Sequence, residues 1–128
     1  MDKRLDEVDI GGYDCIVLPG GTPGYENLDK SIELHAMLKK FNDEGKLIGA
    51  ICYSPMLLAK AGVLEGKTAT VYPGFEQGVP YPREGRVIVD GNVVTSQGPG
   101  TAIEFALKLI EIIKGPEKAR KIMRAIVA

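Results

Sequence analysis

The sequence predicts an α/β domain with a sheet that is at least partly parallel, and three observations carry that expectation. Residues 13–21, "YDCIVLPGG", form a β-rich run closed by Pro19, Gly20 and Gly21, which suits a buried strand opening into a tight loop. Leu34, Met37, Leu38 and Phe41 then recur at i, i+3, i+4 and i+7, with charged residues elsewhere and Gly45 as the stop, so a covering helix follows. A second short apolar run, "KLIGAIC" at 46–52, completes a β-α-β unit, whose strands are expected to lie parallel with a right-handed crossover.

The later elements follow in order. Pro55 with "MLLAKAG" gives a short helix ended by Gly62, and "KTATVYPG" (67–74) gives a strand that stops at Pro73. Residues 74–85 carry loop signals and little pattern. In "RVIVDGNVVTS" (86–96), Asp90-Gly91 stands between two β-branched runs and predicts an antiparallel hairpin. Thr101 and Glu104 have capping-box spacing at the head of a last apolar stretch. There Ile103, Ala106, Leu107, Ile110 and Ile113 form one row and Phe105, Leu109 and Ile112 a second, leaving only Glu104, Lys108 and Glu111 polar. Such a helix calls for cover on two sides, by the sheet and by another element or subunit. Lys118, Arg120, Lys121 and Arg124 give a basic face to a final helix, read as solvated surface. No repeat, low-complexity tract or linker divides the chain, so residues 1–128 are expected to form one domain.

Composition narrows the function classes. A chain of 128 residues with 45% hydrophobic and 26% charged residues can bury a core. Its 16 Lys+Arg against 17 Asp+Glu leave a net charge of -1, so no global field favours nucleic acid or an anionic membrane as partner. No apolar run approaches the ~20 residues that span a bilayer, and "MDKRLDEVDI" is too charged for a signal-peptide core, so a cytoplasmic location is expected. The two cysteines, Cys15 and Cys52, have neither metal-site nor CxxC spacing, so neither a disulfide scaffold nor a zinc module is expected. Cys15, mid-strand among Ile16, Val17 and Leu18, reads as core packing.

Cys52 carries the chemistry of interest. It ends the run "IGAICYSP" at a strand-to-helix junction, with the small residues Ala50 and Ser54 two positions to either side, the pattern of a nucleophile elbow. A thiol at a helix N-terminus has its thiolate favoured by free N–H groups and the macrodipole. The other reading is a cysteine that merely ends a buried strand, and the elbow pattern alone leaves both open. Gly20 and Gly21 end the neighbouring strand at the same sheet edge, where open α/β folds bind ligands. The backbone N–H groups of Gly21 and Tyr53 can there face one oxygen, as an oxyanion hole requires, although a plain tight turn also explains the glycines.

"YDCIVLPGG", "IGAICYSP", "TATVYPGFE" and "DGNVVTSQGPGTAIEFALKLIEIIKG" together resemble the ThiJ/PfpI family, in order from about Gly11 to the C-terminus, with "TSQGPGTAIEFAL" pointing to its ThiJ-like bacterial branch. The resemblance implies a flavodoxin-like (class I glutamine amidotransferase-like) three-layer sandwich, a homodimer, and an oxidation-sensitive nucleophilic cysteine that falls on Cys52. Implied activities are cofactor-free conversion of methylglyoxal to lactate, repair of early glycation adducts on proteins, chaperone action and, in the PfpI branch, proteolysis. Two departures bear on this. Family members begin with a strand and a helix that supplies a glutamate beside the cysteine, and this chain starts after them, so that role has no owner here. The peptidase-like branch follows its cysteine with histidine, whereas Tyr53 stands here, and the only histidine, His35, lies on the flank of the first helix.

The expectation is therefore a cysteine-dependent, cofactor-free protein acting on reactive aldehydes, with Cys52 as nucleophile and the Gly21 and Tyr53 N–H groups holding the oxygen. Gly20, Ser54, Tyr72, Gly98 and Pro99 are the candidate substrate contacts, and no metal is expected. Alternatives are a redox-sensing or chaperone-like protein whose Cys52 is oxidised without turnover, a PfpI-type peptidase, or an incomplete domain with a bare strand edge at residues 14–18.

Overall fold

A computed structural model describes residues 2–128, and a four-stranded sheet lies at its centre. Strands β1 (Cys15–Leu18) and β2 (Leu47–Ile51) pair in parallel, with Cys15 opposite Leu47 and Leu18 opposite Ala50. Two later strands, β5 (Val87–Asp90) and β6 (Val93–Ser96), form the antiparallel hairpin, and β6 pairs in parallel with β2, giving the order β1-β2-β6-β5. The mostly parallel α/β sheet with a hairpin is the predicted fold class.

Alternation along the strands decides which helix covers which face. Leu18, Ile48 and Ala50 belong to one core with Leu34, Leu38 and Phe41 of α2 (Ile32–Asp43) and Leu57 and Leu58 of α3 (Pro55–Lys60). Val94, on the other face, meets Phe105 and Leu109 of α4 (Ala102–Lys114). Gly49 lets α4 sit close, since a Cβ there would stand 3.0 Å from Phe105 Cζ. The start of α2 is set by Ser31, whose hydroxyl accepts the Leu34 N–H at 3.2 Å.

Several expectations change. Helix α1 (Thr22–Asp29) was not legible: only Tyr25 and Leu28 pack, partly buried, against the core, too few to mark an apolar period, and Pro23 in its first turn is its strongest signal. The 67–74 strand shrinks to β3 (Thr68–Ala69), which pairs with β4 (Tyr81–Pro82) in a separate two-stranded ribbon rather than in the main sheet. Beyond it the Thr70 N–H is satisfied by the Thr95 hydroxyl at 3.0 Å, so a side chain replaces a strand partner. The hairpin turns on Gly91-Asn92, one residue later than expected, because Asp90 pairs with Val93. Its carboxylate instead accepts the Thr68 N–H at 2.8 Å and hydroxyl at 3.1 Å, tying the ribbon to β5.

The capping box at Thr101 and Glu104 does not form. Thr101 Oγ1 lies 2.6 Å from Ser96 Oγ, and Glu104 accepts from Arg86 Nε at 2.8 Å. Helix α5 (Pro116–Ala125) packs along α4 and supplies the second cover, yet Ile103, Ile112 and Ile113 stay exposed. Its Lys118, Arg120, Lys121 and Arg124 are all exposed, as expected. At the sheet edge, β1 is less buried than predicted: Val17 is 45% exposed and Cys15 half-buried, so Cys15 is not a core residue.

Candidate active site at the Cys52 elbow

Parallel pairing brings the carboxyl ends of β1 and β2 to one edge, so Pro19-Gly20-Gly21 and Cys52 become neighbours. The Cys52 N–H donates to the Ser96 carbonyl at 3.0 Å, and its own carbonyl accepts the Tyr72 N–H at 2.9 Å. Between these two bonds its φ is +69°, a left-handed conformation that a residue with a Cβ rarely adopts and that costs of order 1–3 kcal/mol. Ser54 braces the turn: its N–H donates to Ile51 O at 3.2 Å and its hydroxyl to Pro19 O at 2.6 Å. The elbow read from the sequence is thus formed. The helix behind it, α3, has only 6 residues, so any macrodipole help to a thiolate is that of a short helix.

Gly20 is required at its place. A Cβ there would come within 2.5 Å of Cys52 Cβ and 3.3 Å of Sγ. Gly21 follows at φ +95°, which turns the chain into α1. Cys52 is 8% exposed and opens to a cleft of about 220 Å³ walled by Gly20, Gly21, Ile51, Gly98, Pro99 and Ala102. Among the described residues, the Gly21 and Tyr53 N–H groups donate to no acceptor within the protein.

The other candidates divide. Gly98 and Pro99 line the cleft, on a loop held by Thr101 Oγ1, which accepts the Gly98 N–H at 3.2 Å. Ser54 does not reach it; that side chain is fully buried and its hydroxyl is spent on Pro19. Tyr72 stands behind the wall, where a Cβ on Gly98 would lie 3.4 Å from its ring. With Tyr53 and Phe75 it forms an aromatic cluster: ring centroids are 5.1 Å apart for Tyr53–Tyr72 and 4.9 Å for Tyr53–Phe75. Tyr25 of α1 joins Tyr53 at 6.1 Å. Phe75 and Tyr25 escaped the sequence reading, although the crowding of aromatic residues in "VYPGF" was a usable signal.

Among the described residues, no imidazole, carboxylate or ammonium belongs to the cleft wall. His35 on α2 points to Asp29, with Nε2 3.2 Å from the Asp29 carbonyl, so a Cys/His pair is absent from this geometry. Burial pushes the Cys15 thiol above its ordinary pKa, the opposite of activation. Among the described residues no cluster of His, Cys, Asp and Glu could hold a metal ion.

A sheet covered on both faces, with a strained cysteine at its carboxyl edge, defines the α/β proteins built around one elbow thiol. The model of the DJ-1/PfpI family matches residues 1–112, and the chain belongs to that family, the ThiJ/PfpI family of the sequence resemblance. It is 45% identical over 126 residues to the Arabidopsis thaliana protein DJ-1 homolog A, covering 94% of this chain and 32% of that protein. It is 36% identical over 126 residues to the Caenorhabditis elegans glutathione-independent glyoxalase DJR-1.2, covering 96% of this chain and 67% of that protein. The solved structure of oxidized Toxoplasma gondii DJ-1 superposes with a TM-score of 0.94 at 47% identity, covering 98% of this chain and 70% of that one. The chain thus spans about a third of the Arabidopsis relative and roughly two thirds of the other two.

Proposed function

We propose that the chain acts on small reactive aldehydes, in the manner of a cofactor-free glyoxalase or protein deglycase, through the Cys52 thiolate. The observation that carries this is the elbow itself: a thiol held at φ +69° at the sheet edge beside two backbone N–H groups without internal acceptors. The thiolate sulfur adds to the aldehyde carbon, a C–S bond forms, and the carbonyl π electrons move to oxygen. The Gly21 and Tyr53 N–H groups stabilise that oxyanion, which on protonation gives a hemithioacetal. The name of the C. elegans relative supports the substrate class. Because the cleft wall offers no acid or base, proton transfer falls to solvent or to a group outside the described residues.

The test is loss of methylglyoxal followed against Cys52→Ser. Consumption that stops in the variant supports the reading, and consumption that persists overturns it. A redox-sensing role is a second reading, favoured by the same lack of an acid/base and by the oxidized state of the T. gondii neighbour. It requires a peroxide-dependent mass increase at Cys52 without aldehyde turnover. A homodimer belongs to the proposal as well; exposed Val17, Ile103 and Ile113 provide apolar surface for one, and light scattering on the purified chain decides it.

A further inference from the structure

Strand β1 lies at the outside of the sheet, and its free edge carries none of the guards that keep sheet edges apart. Cys15, Ile16, Val17 and Leu18 bring no charge, proline or bulge, and Val17 is 45% exposed. The register with β2 decides which backbone groups point outward. The Leu47 N–H donates to the Asp14 carbonyl at 3.3 Å with Leu47 opposite Cys15, so Asp14, Ile16 and Leu18 turn their backbone groups to β2. The N–H and C=O of Cys15 and Val17 face the other way, and among the described residues they have no partner.

Both ends of this edge are closed. The Tyr13 N–H donates to the Ile10 carbonyl at 3.3 Å, and Pro19 has no N–H while its carbonyl accepts the Ser54 hydroxyl at 2.6 Å. A two-fold axis through Ile16 sets Cys15 of one copy against Val17 of the other in antiparallel hydrogen-bonded pairs, and every outward group of both residues is then satisfied. An axis through Val17 would put Cys15 against the partner's Pro19, and one through Cys15 would put Val17 against the partner's Tyr13; each leaves a carbonyl without a donor. The edge is thus complementary to itself in a single two-fold register.

The side chains agree with that register. Cys15 and Val17 lie opposite Leu47 and Gly49, on the face that α4 covers further in, so Val17 rests on the partner's Cys15 as an apolar cross-strand pair. Beside the edge runs a cleft of about 420 Å³, lined by Ile10, Tyr13, Ile16, Met37 and Phe41 among others, which leaves room for an incoming strand and gives it apolar walls.

We propose that two copies of this chain join edge to edge through β1, antiparallel and centred on Ile16, so that one sheet runs through both. The inference rests on the homodimer reading and gives it an interface; it is independent of the chemistry at Cys52.

Sedimentation velocity on the full chain over a dilution series reads the oligomeric state, and amide hydrogen exchange resolved by NMR at the same concentrations reads the edge. The expected result is a concentration-dependent dimer, with exchange at Cys15 and Val17 fast in the dilute chain and slowed several-fold as the dimer forms, whereas Ile16 and Leu18, already bonded to β2, are protected throughout. Val17→Lys places a charge on the edge, and Val17→Pro removes one outward N–H without touching the ladder to β2. Both are expected to stay monomeric at concentrations where the unsubstituted chain is dimeric; since Val17 is exposed, Val17→Lys keeps the fold even if the proline does not. A dimer that persists in Val17→Lys overturns the β1 interface and leaves the homodimer standing, and its loss in Ile103→Lys would move the interface to α4. Species that grow without limit overturn the two-fold register. A chain that is monomeric at every concentration overturns the homodimer and the β1 interface together.

Discussion

Gly20 lies directly against the Cys52 side chain: a methyl group on Gly20 would lie 2.5 Å from Cys52 Cβ, a separation real side chains do not show. The glycine at the end of β1 and the nucleophile at the end of β2 therefore act as one unit, and the elbow keeps its shape only while this position lacks a side chain. In Gly20→Ala either the loop or Cys52 must move. The expected outcome is iodoacetamide labelling of Cys52 slowed at least several-fold, together with a loss of about 1–3 kcal/mol in urea unfolding. Labelling at the original rate would show that the contact does not position the thiol.

Ser54 gives a separate handle on the same turn. Its fully buried hydroxyl donates to Pro19 O at 2.6 Å, and Ser54→Ala leaves that carbonyl without this partner. A loss of about 1–3 kcal/mol is expected by denaturant titration. Since the residue does not reach the cleft, methylglyoxal loss per folded protein should change far less than stability does.

Thr101 holds the far wall. With Oγ1 beside Ser96 Oγ, accepting from the Gly98 N–H and 2.9 Å from the Gly98 carbonyl, Thr101 loses three polar contacts in Thr101→Val at nearly constant volume. Faster hydrogen exchange at Gly98 than at the central β2 amides is the expected result, measured by NMR or mass spectrometry. Unchanged exchange would mean that Pro99 alone fixes the loop.

Asp90 sets an acid dependence. Hydrogen bonds from the Thr68 N–H and hydroxyl hold its carboxylate below the ordinary value of about 3.9. A group whose pKa is depressed by folding stabilises the fold above its unfolded pKa, and the contribution disappears as pH falls through the folded value. Unfolding followed from about pH 5 downward should therefore show a smaller acid-induced loss of stability in Asp90→Asn than in the unsubstituted chain. Equal slopes would mean that the bonds between β5 and β3 do not survive in solution.

How much of this was legible in the sequence follows from what each element buries. Helix α2 announced itself because Leu34, Leu38 and Phe41 all enter one core, and β2 because Ile48 and Ala50 do. Helix α1 buries no residue fully and sets only Tyr25 and Leu28 against the core, too short a stripe to read as a period. Thr70 and Val71 carry strand composition and are buried, but the Thr95 hydroxyl takes the place of a strand partner, a tertiary substitution that composition does not reveal. Around the thiol, the elbow and both glycine loops were readable because small residues and turns are local signals. The side-chain roles were less so: Ser54 and Tyr72 sit at the right sequence positions, yet one is turned inward to Pro19 and the other stands behind Gly98.

The two backbone bonds of Cys52 reach Ser96 and Tyr72, segments distant from it in the chain. No local sequence preference holds a cysteine in the left-handed region, so in a partly folded chain nothing keeps that conformation in place. The thiol acquires its position only when β2, β6 and the segment after β3 have come together. Nascent or damaged copies of the chain would then carry an ordinary cysteine, and the geometry that makes Cys52 useful doubles as a proof of assembly, granted last and withdrawn first.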